Sequence, residues 1–132
     1  NFLMQQTVSF VIATPVLASL DIGRSVDFFC EKLGFVKVYA EQGSYGVVSN
    51  GAVSVHFWAC ADKAISEATG CRIGVQGIQE LFARCVAQAI VHPNAPLATA
   101  PWGNQEFAIL DPDGNLVTFY EPGTASQETP PK

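Results

Sequence analysis

Two histidines and four cysteines are the side chains of this 132-residue sequence best suited to bind a metal or act as nucleophiles. Their spacing supports neither role. The cysteines stand at 30, 60, 71 and 85, so no two form the Cys-x-x-Cys pair that a zinc or dithiol site uses. No Ser-His-Asp or Cys-His arrangement follows from the positions of His56 and His92, and no glycine-rich phosphate loop is present. Aromatic rings are the other resource. Trp102 lies in Pro101-Trp102-Gly103, at the entry to a strand–turn–strand stretch whose turn is Asp111-Pro112-Asp113-Gly114. Proline presets φ there, the Asp side chains cap backbone amides, and glycine takes φ > 0. A large ring at such an entry needs a cover.

Composition bounds the rest. With 48% hydrophobic residues the chain can bury a real core. The length predicts a single domain, residues 1–132. The net charge of −5 argues against a nucleic-acid backbone as partner and is compatible with a cationic small molecule. The cysteines read as reduced structural thiols in the cytoplasm. Residues 8–20 are apolar, but no Lys or Arg precedes them and Pro15 interrupts them. They are too short to span a bilayer and are expected to form a buried strand, with no membrane partner. Residues 1–6 read as a loose end and 124–132 as a frayed tail.

The elements that must position the aromatics follow in order. A strand over 8–19 leads through the N-cap Asp21 to a helix over about 24–33, with Val26, Phe29, Cys30 and Leu33 inward and Gly34 as C-cap. Strands at 35–41, 46–49 and 52–59 complete a β-α-β-β-β unit, with Asn50-Gly51 as a hairpin turn. After a polar connector at 62–70 the order repeats. A strand at 71–77 precedes a helix over 78–91 with Leu81, Phe82, Cys85, Val86 and Ala89 inward, and strands follow near 97–99, 106–110 and 115–121. The helices match at a constant offset of 56, and the final hairpins at 62 or 63. The extra length falls at 93–102, the approach to Trp102. The expected fold is α+β: two modules, about 8–60 and 70–122, forming a curved mixed sheet with helices outside and a groove inside. By the match of Val117 and Phe119 to Val55 and Phe57, the residues Leu116, Thr118, Tyr120, Ser54, His56 and Trp58 face the groove.

These residues resemble a known superfamily. Leu17-x-x-x-Asp21-x-x-x-Ser25-x-x-Phe28-Phe29-x-x-x-Leu33-Gly34-Phe35, with the late Asp111-Pro112-Asp113-Gly114-Asn115, is similar to the vicinal oxygen chelate superfamily of glyoxalases, extradiol dioxygenases and bleomycin resistance proteins. Pro101-Trp102-Gly103-x-x-Glu106-Phe107 resembles the bleomycin resistance branch most, as do Thr14-Pro15-Val16-Leu17 and Val75-Gln76-Gly77-Ile78-Gln79-Glu80-Leu81. The resemblance implies a homodimer of swapped subunits whose interface grooves sequester a bulky, aromatic-tailed, cationic drug without chemistry. It places Trp102 in the groove, with Tyr39 and Tyr45 near further aromatic positions. Arg72 stands where the branch carries an aromatic; it either faces the groove as a cation or pairs with a nearby acid. The enzymes of the superfamily hold a divalent metal at positions falling at or near Thr14, His56, Gly70 and Thr118. Only His56 is a good ligand there, so no metal and no cofactor is expected. The candidate ligand-binding set is therefore Trp102, His56, Trp58, Tyr39, Tyr45, Arg72, Thr118 and Tyr120. Two alternatives remain at this point: a metal-dependent lyase or dioxygenase with an unusual ligand set, and a non-catalytic dimeric scaffold.

Overall fold

A computed structural model describes residues 7–123; the expectations for 1–6 and 124–132 lie outside them. The elements run β1 (Val16–Ser19), α1 (Ile22–Leu33), β2 (Val36–Glu41), β3 (Tyr45–Asn50), β4 (Val53–Ala59), a single turn α2 (Lys63–Ser66), β5 (Gly70–Gly74), α3 (Ile78–Ala87), β6 (Ala98–Thr99), β7 (Gln105–Leu110) and β8 (Leu116–Glu121). They build two mixed four-stranded sheets of the same topology, β1-β4-β3-β2 and β5-β8-β7-β6, with the first strand of each parallel to the last. This is the duplicated α+β architecture that the sequence predicts.

Each helix covers one face of its own sheet. In α1 the side chain of Asp21 accepts from the Arg24 amide, and Gly34 closes the helix at φ 76°. Val26 and Phe29 are buried. The helix sits so close to β3 that a Cβ on Gly46 would come within 2.9 Å of a Val26 methyl. Only glycine permits that approach. Phe29 meets Phe35 and Phe57 edge-on, both at 5.3 Å between centroids. In the second module Phe107 packs on Phe82 and Phe119 at 5.2 and 5.3 Å. Such pairs add about 0.5–1.5 kcal/mol each beyond the area they bury. Val55, Phe57, Val117 and Phe119 all face the helices and are buried, as the hairpin match requires.

The internal offset of 56 is visible in three dimensions: Ile22 and Ile78 open the two helices, Phe29 and Cys85 lie at their centres, and all four are buried. The far end of α3 departs from expectation. The helix stops at Ala87, Val86 is 53% exposed, and Ala89 leaves the helical region at φ 59°. Val86 and Ala89 are therefore not inward residues. The first strand is also shorter than the residue types suggest. The Pro15 carbonyl still accepts from the His56 amide of β4, but residues 8–14 belong to no strand, and Phe10, Val11 and Ile12 are 97%, 89% and 77% exposed. β-branched residues favour a strand only where a neighbouring strand takes up the backbone groups, and the described residues offer none to that segment.

The turn Asp111-Pro112-Asp113-Gly114-Asn115 is not on the surface: Asp113 and Asn115 are wholly buried and Asp111 is 5% exposed. It inserts beneath the first module. The Asp113 carboxylate accepts from the Leu20 amide at 3.3 Å, from the Ser25 hydroxyl at 3.2 Å and from the Arg24 guanidinium. The Asn115 amide donates to the Ala18 carbonyl at 2.8 Å and to Asp111 at 2.9 Å, while its oxygen accepts from Thr69. Asp111 accepts in addition from the amides of Asp113 and Asn115. Burial pushes the Asp111 carboxyl above its ordinary range, and these bonds pull it back only in part. Every polar group named here has a partner, which is what makes a buried charged turn tolerable.

Candidate functional site

The sheet faces turned away from the helices carry the aromatic residues. Cross-strand register puts Tyr39, Val47, His56 and Val16 in one row of the first sheet, and Glu41, Tyr45, Trp58 and Ala18 in the next. Four of the expected residues thus share one face. A register shift between Lys37 and Tyr39 brings Tyr39 into this row. The polar tips are tied down. The Tyr45 hydroxyl and His56 Nδ1 lie 2.9 Å apart, with the rings edge to face at 5.5 Å, and the Tyr39 hydroxyl donates to Glu41 at 2.6 Å. That bond to a carboxylate raises the Tyr39 hydroxyl above its usual pKa. Trp58 is 39% exposed.

On the second sheet Glu106, Tyr120 and Gly74 form one row, and Ala108, Thr118 and Arg72 the next. Arg72 starts on β5, passes over β8 and reaches Glu106 on β7. Its guanidinium meets the Glu106 carboxylate with two bonds, 2.9 and 3.3 Å, and lies 4.8 Å from the Tyr120 ring centre. Gly74 makes room for that ring, since a Cβ there would come within 3.2 Å of it. The Trp102 indole N–H donates to the same carboxylate at 3.2 Å. Arg72 is therefore a paired cation, not a free one. Thr118 is half-buried in the middle strand, beside Arg72. The structure thus assembles the eight expected residues into two groups, four on each sheet.

Glu106 is the residue that the sequence reading missed. It was visible as part of Trp102-Gly103-Asn104-Gln105-Glu106, and pairing the hairpin outward from its turn sets it opposite Tyr120. Its bond to Arg72 holds its carboxyl below the usual range of 4.5, and bonds from Trp102 and Asn104 act the same way. The sign follows from linkage: a depressed carboxyl contributes stability fully present above 4.5 and lost as pH falls through the folded value. In a Trp58→Phe variant, Trp102 emission should stay flat from neutral pH to about 4.5 and change below it. A change centred above pH 5 would exclude Glu106 as the group responsible.

Two depressions bear on where a ligand sits. One of about 450 Å³ opens over Gly70, Arg72, Leu116 and Thr118, on the aromatic face of the second sheet. Another of about 440 Å³ lies at the seam between modules, among Leu33, Phe35, Val53, Ile73, Leu81 and Phe119. None of the eight candidate residues lines the seam; Arg72 and Thr118 line the first depression.

The superfamily's metal positions can be tested on these residues. Gly70 has no side-chain donor, Thr14 and Thr118 offer only hydroxyls, and His56 is on the other sheet from Thr118 with Nδ1 bonded to Tyr45. Among the described residues no three His, Cys, Asp or Glu side chains come together as a metal-binding group. The chain's donors do not fit such a centre, and no reaction step is derived through one.

Comparison with known proteins identifies the family. The sequence profile of the Glyoxalase/Bleomycin resistance protein/Dioxygenase superfamily matches residues 11–119. Bleomycin resistance proteins of Geobacillus stearothermophilus and Staphylococcus aureus are 34% identical over an alignment 124 positions long, covering 81% of this chain and 93% of theirs. The bleomycin-binding protein of bleomycin-producing Streptomyces verticillus, solved with copper(II)-bleomycin, superposes with a TM-score of 0.76 at 29% identity, covering 88% of this chain and 98% of that one. A lactoylglutathione lyase from Agrobacterium tumefaciens has the same fold, with a TM-score of 0.70 at 19% identity over 86% of this chain and 94% of its own. The fold alone therefore does not separate binder from enzyme.

Proposed function

The chain belongs to the Glyoxalase/Bleomycin resistance protein/Dioxygenase superfamily, and from that premise we propose that it sequesters a flat aromatic drug of the bleomycin kind without altering it. One observation supports this reading above the others. The aromatic faces of both sheets are partly open, yet their polar tips are already bonded to one another: Tyr45 to His56, Tyr39 to Glu41, Trp102 and Arg72 to Glu106. Rings held in this way are fixed in position. They are good stacking surfaces, because little ordering remains to be done when a ligand arrives. His56, Trp58, Tyr39 and Tyr45 form one such surface, and Trp102, Arg72, Thr118 and Tyr120 the other.

The working unit in this proposal is a homodimer, in which residues 8–12 of one copy cover apolar surface of the other and the groove forms between them. The exposure of Phe10, Val11 and Ile12 supports it, since a run of that kind is unfavourable in water unless covered. Among the described residues no helix is long and apolar enough to cross a membrane, and the proposed place of action is the cytoplasm, where the drug would be met.

Titrating the protein with metal-free bleomycin should quench tryptophan emission. Trp102→Ala should weaken binding roughly 30-fold or more, as the loss of a stacking anchor does. No quenching at millimolar drug would remove bleomycin as ligand. Equal affinity in the variant would remove Trp102 from the site.

A further inference from the structure

Glu106 joins three groups that the ligand reading treats separately. It holds the guanidinium of Arg72 with two bonds, accepts the indole N–H of Trp102, and faces Tyr120 in the register of the hairpin. Its side chain is 18% exposed, against 46% for Arg72, so the carboxylate is the covered partner and the guanidinium the one open to an arriving molecule. Arg72 also stacks on Tyr120. A planar cation on a ring offers a flat surface whose charge depends on whether its carboxylate is in place. With Glu106 ionised the assembly carries no net charge. Without that charge, the same flat surface is cationic. Specificity is a difference of affinities, and one countercharge at a stacking surface suffices to reverse its sign.

We propose that Glu106 is the specificity-determining residue of the second-sheet surface: by neutralising Arg72 it admits neutral and cationic flat molecules and takes anionic ones less well than an unpaired guanidinium would, while its bond to the indole keeps Trp102 in place. The inference rests on the sheet faces being the ligand site, and adds which ligand charge that site takes and which residue decides it. Glu106 is a positioning residue for Trp102 and Arg72.

Two dyes of opposite charge test it without needing bleomycin. The anionic probe is 8-anilinonaphthalene-1-sulfonate and the cationic one thioflavin T, each titrated against the full chain, with thermal melts to establish that each variant is folded. In Glu106→Gln, nearly the same shape with no charge, the anionic-to-cationic affinity ratio should rise about tenfold or more, since one unpaired charge at a half-covered site commonly has that effect. Glu106→Asp, which keeps the charge, should stay near the wild-type ratio. The double variant Arg72→Gln/Glu106→Gln, with both charges gone, should return to it. Acrylamide quenching of Trp102 in the Trp58→Phe background should change little in Glu106→Gln, whose amide oxygen still accepts the indole N–H, and rise in Glu106→Ala. An unchanged dye ratio in Glu106→Gln overturns the proposal, as does failure of the double variant to restore it or absence of dye binding in every variant. Because none of these readings uses bleomycin, a wild-type protein that shifts its dye ratio on mutation but ignores the drug would sink the drug and leave Glu106 in its role.

Discussion

Replacing Asp113 by alanine should lower the unfolding free energy by about 3 kcal/mol, since it strips partners from several donors at once. The Leu20 amide and the Ser25 hydroxyl lose a carboxylate oxygen, and the Arg24 guanidinium loses the other. Arg24 is 49% exposed and recovers much of its loss from water. The Ser25 hydroxyl is wholly buried and falls back on the Ser19 hydroxyl, while the Leu20 amide is part-buried. For a chain of this length about 3 kcal/mol corresponds to roughly 10 °C or more in Tm. Asp113→Asn keeps an acceptor of the same shape and should lose about half as much, because a neutral acceptor makes weaker bonds than a charged one. Thermal and urea unfolding measure both. An Asp113→Ala protein as stable as the parent would mean that the turn only closes a hairpin.

Deleting residues 1–14 should turn the proposed dimer into a monomer. Val8, Phe10, Val11 and Ile12 are at least 58% exposed on the isolated chain. Fully covering such side chains contributes about 1.5–3 kcal/mol each. Even after the costs of association are set against that gain, their removal should raise the dissociation constant by roughly 10³-fold or more. Light scattering of the parent and the truncated chain reads this directly. A parent that is already monomeric, or a truncated chain that stays dimeric, sinks the proposal that this segment covers a second copy.

The comparison of residue pattern with structure divides along the range of the forces involved. Alternation in β4 and β8 fixed which residues face the helices, because a half-buried strand repeats every two residues and its neighbours enforce the choice. The same reasoning placed His56 and Trp58 opposite Val55 and Phe57, and the structure agrees. The cap at Asp21 and the stop at Gly34 were legible for the same reason: the signals lie within three or four residues of their effect. Where a partner is distant, the pattern said too little. Residues 8–14 have the composition of a strand and, among the described residues, no strand to pair with. The early end of α3 has no proline or glycine to mark it, and only the positive φ of Ala89 records the break. The Asp111–Asn115 turn has three polar side chains in five positions, and nothing local shows its burial, because its partners lie 88 to 97 residues away. Glu106 has no ring or spacing to mark it in the sequence; its role comes from the guanidinium of Arg72, 34 residues away, and the indole of Trp102.

That buried turn also bears on the order of events in folding. The loops it closes, between Leu20 or Ser25 and Asp113 and between Ala18 and Asn115, run to almost the full described length of the chain. Closing a long loop costs more entropy than forming a hairpin, and the cost must be met before the contact contributes anything. The hairpins β3–β4 and β7–β8 are local and can form first. The clasp then forms late, after both modules have taken shape, and it cannot begin on the ribosome until Asn115 has been made. Its bonds belong to the native state more than to the transition state, so Asp113→Ala should speed unfolding and leave the rate of folding nearly unchanged. The polar turn between the last two strands is thus the latch of the molecule: it is closed last, and it governs how long the folded chain stays shut.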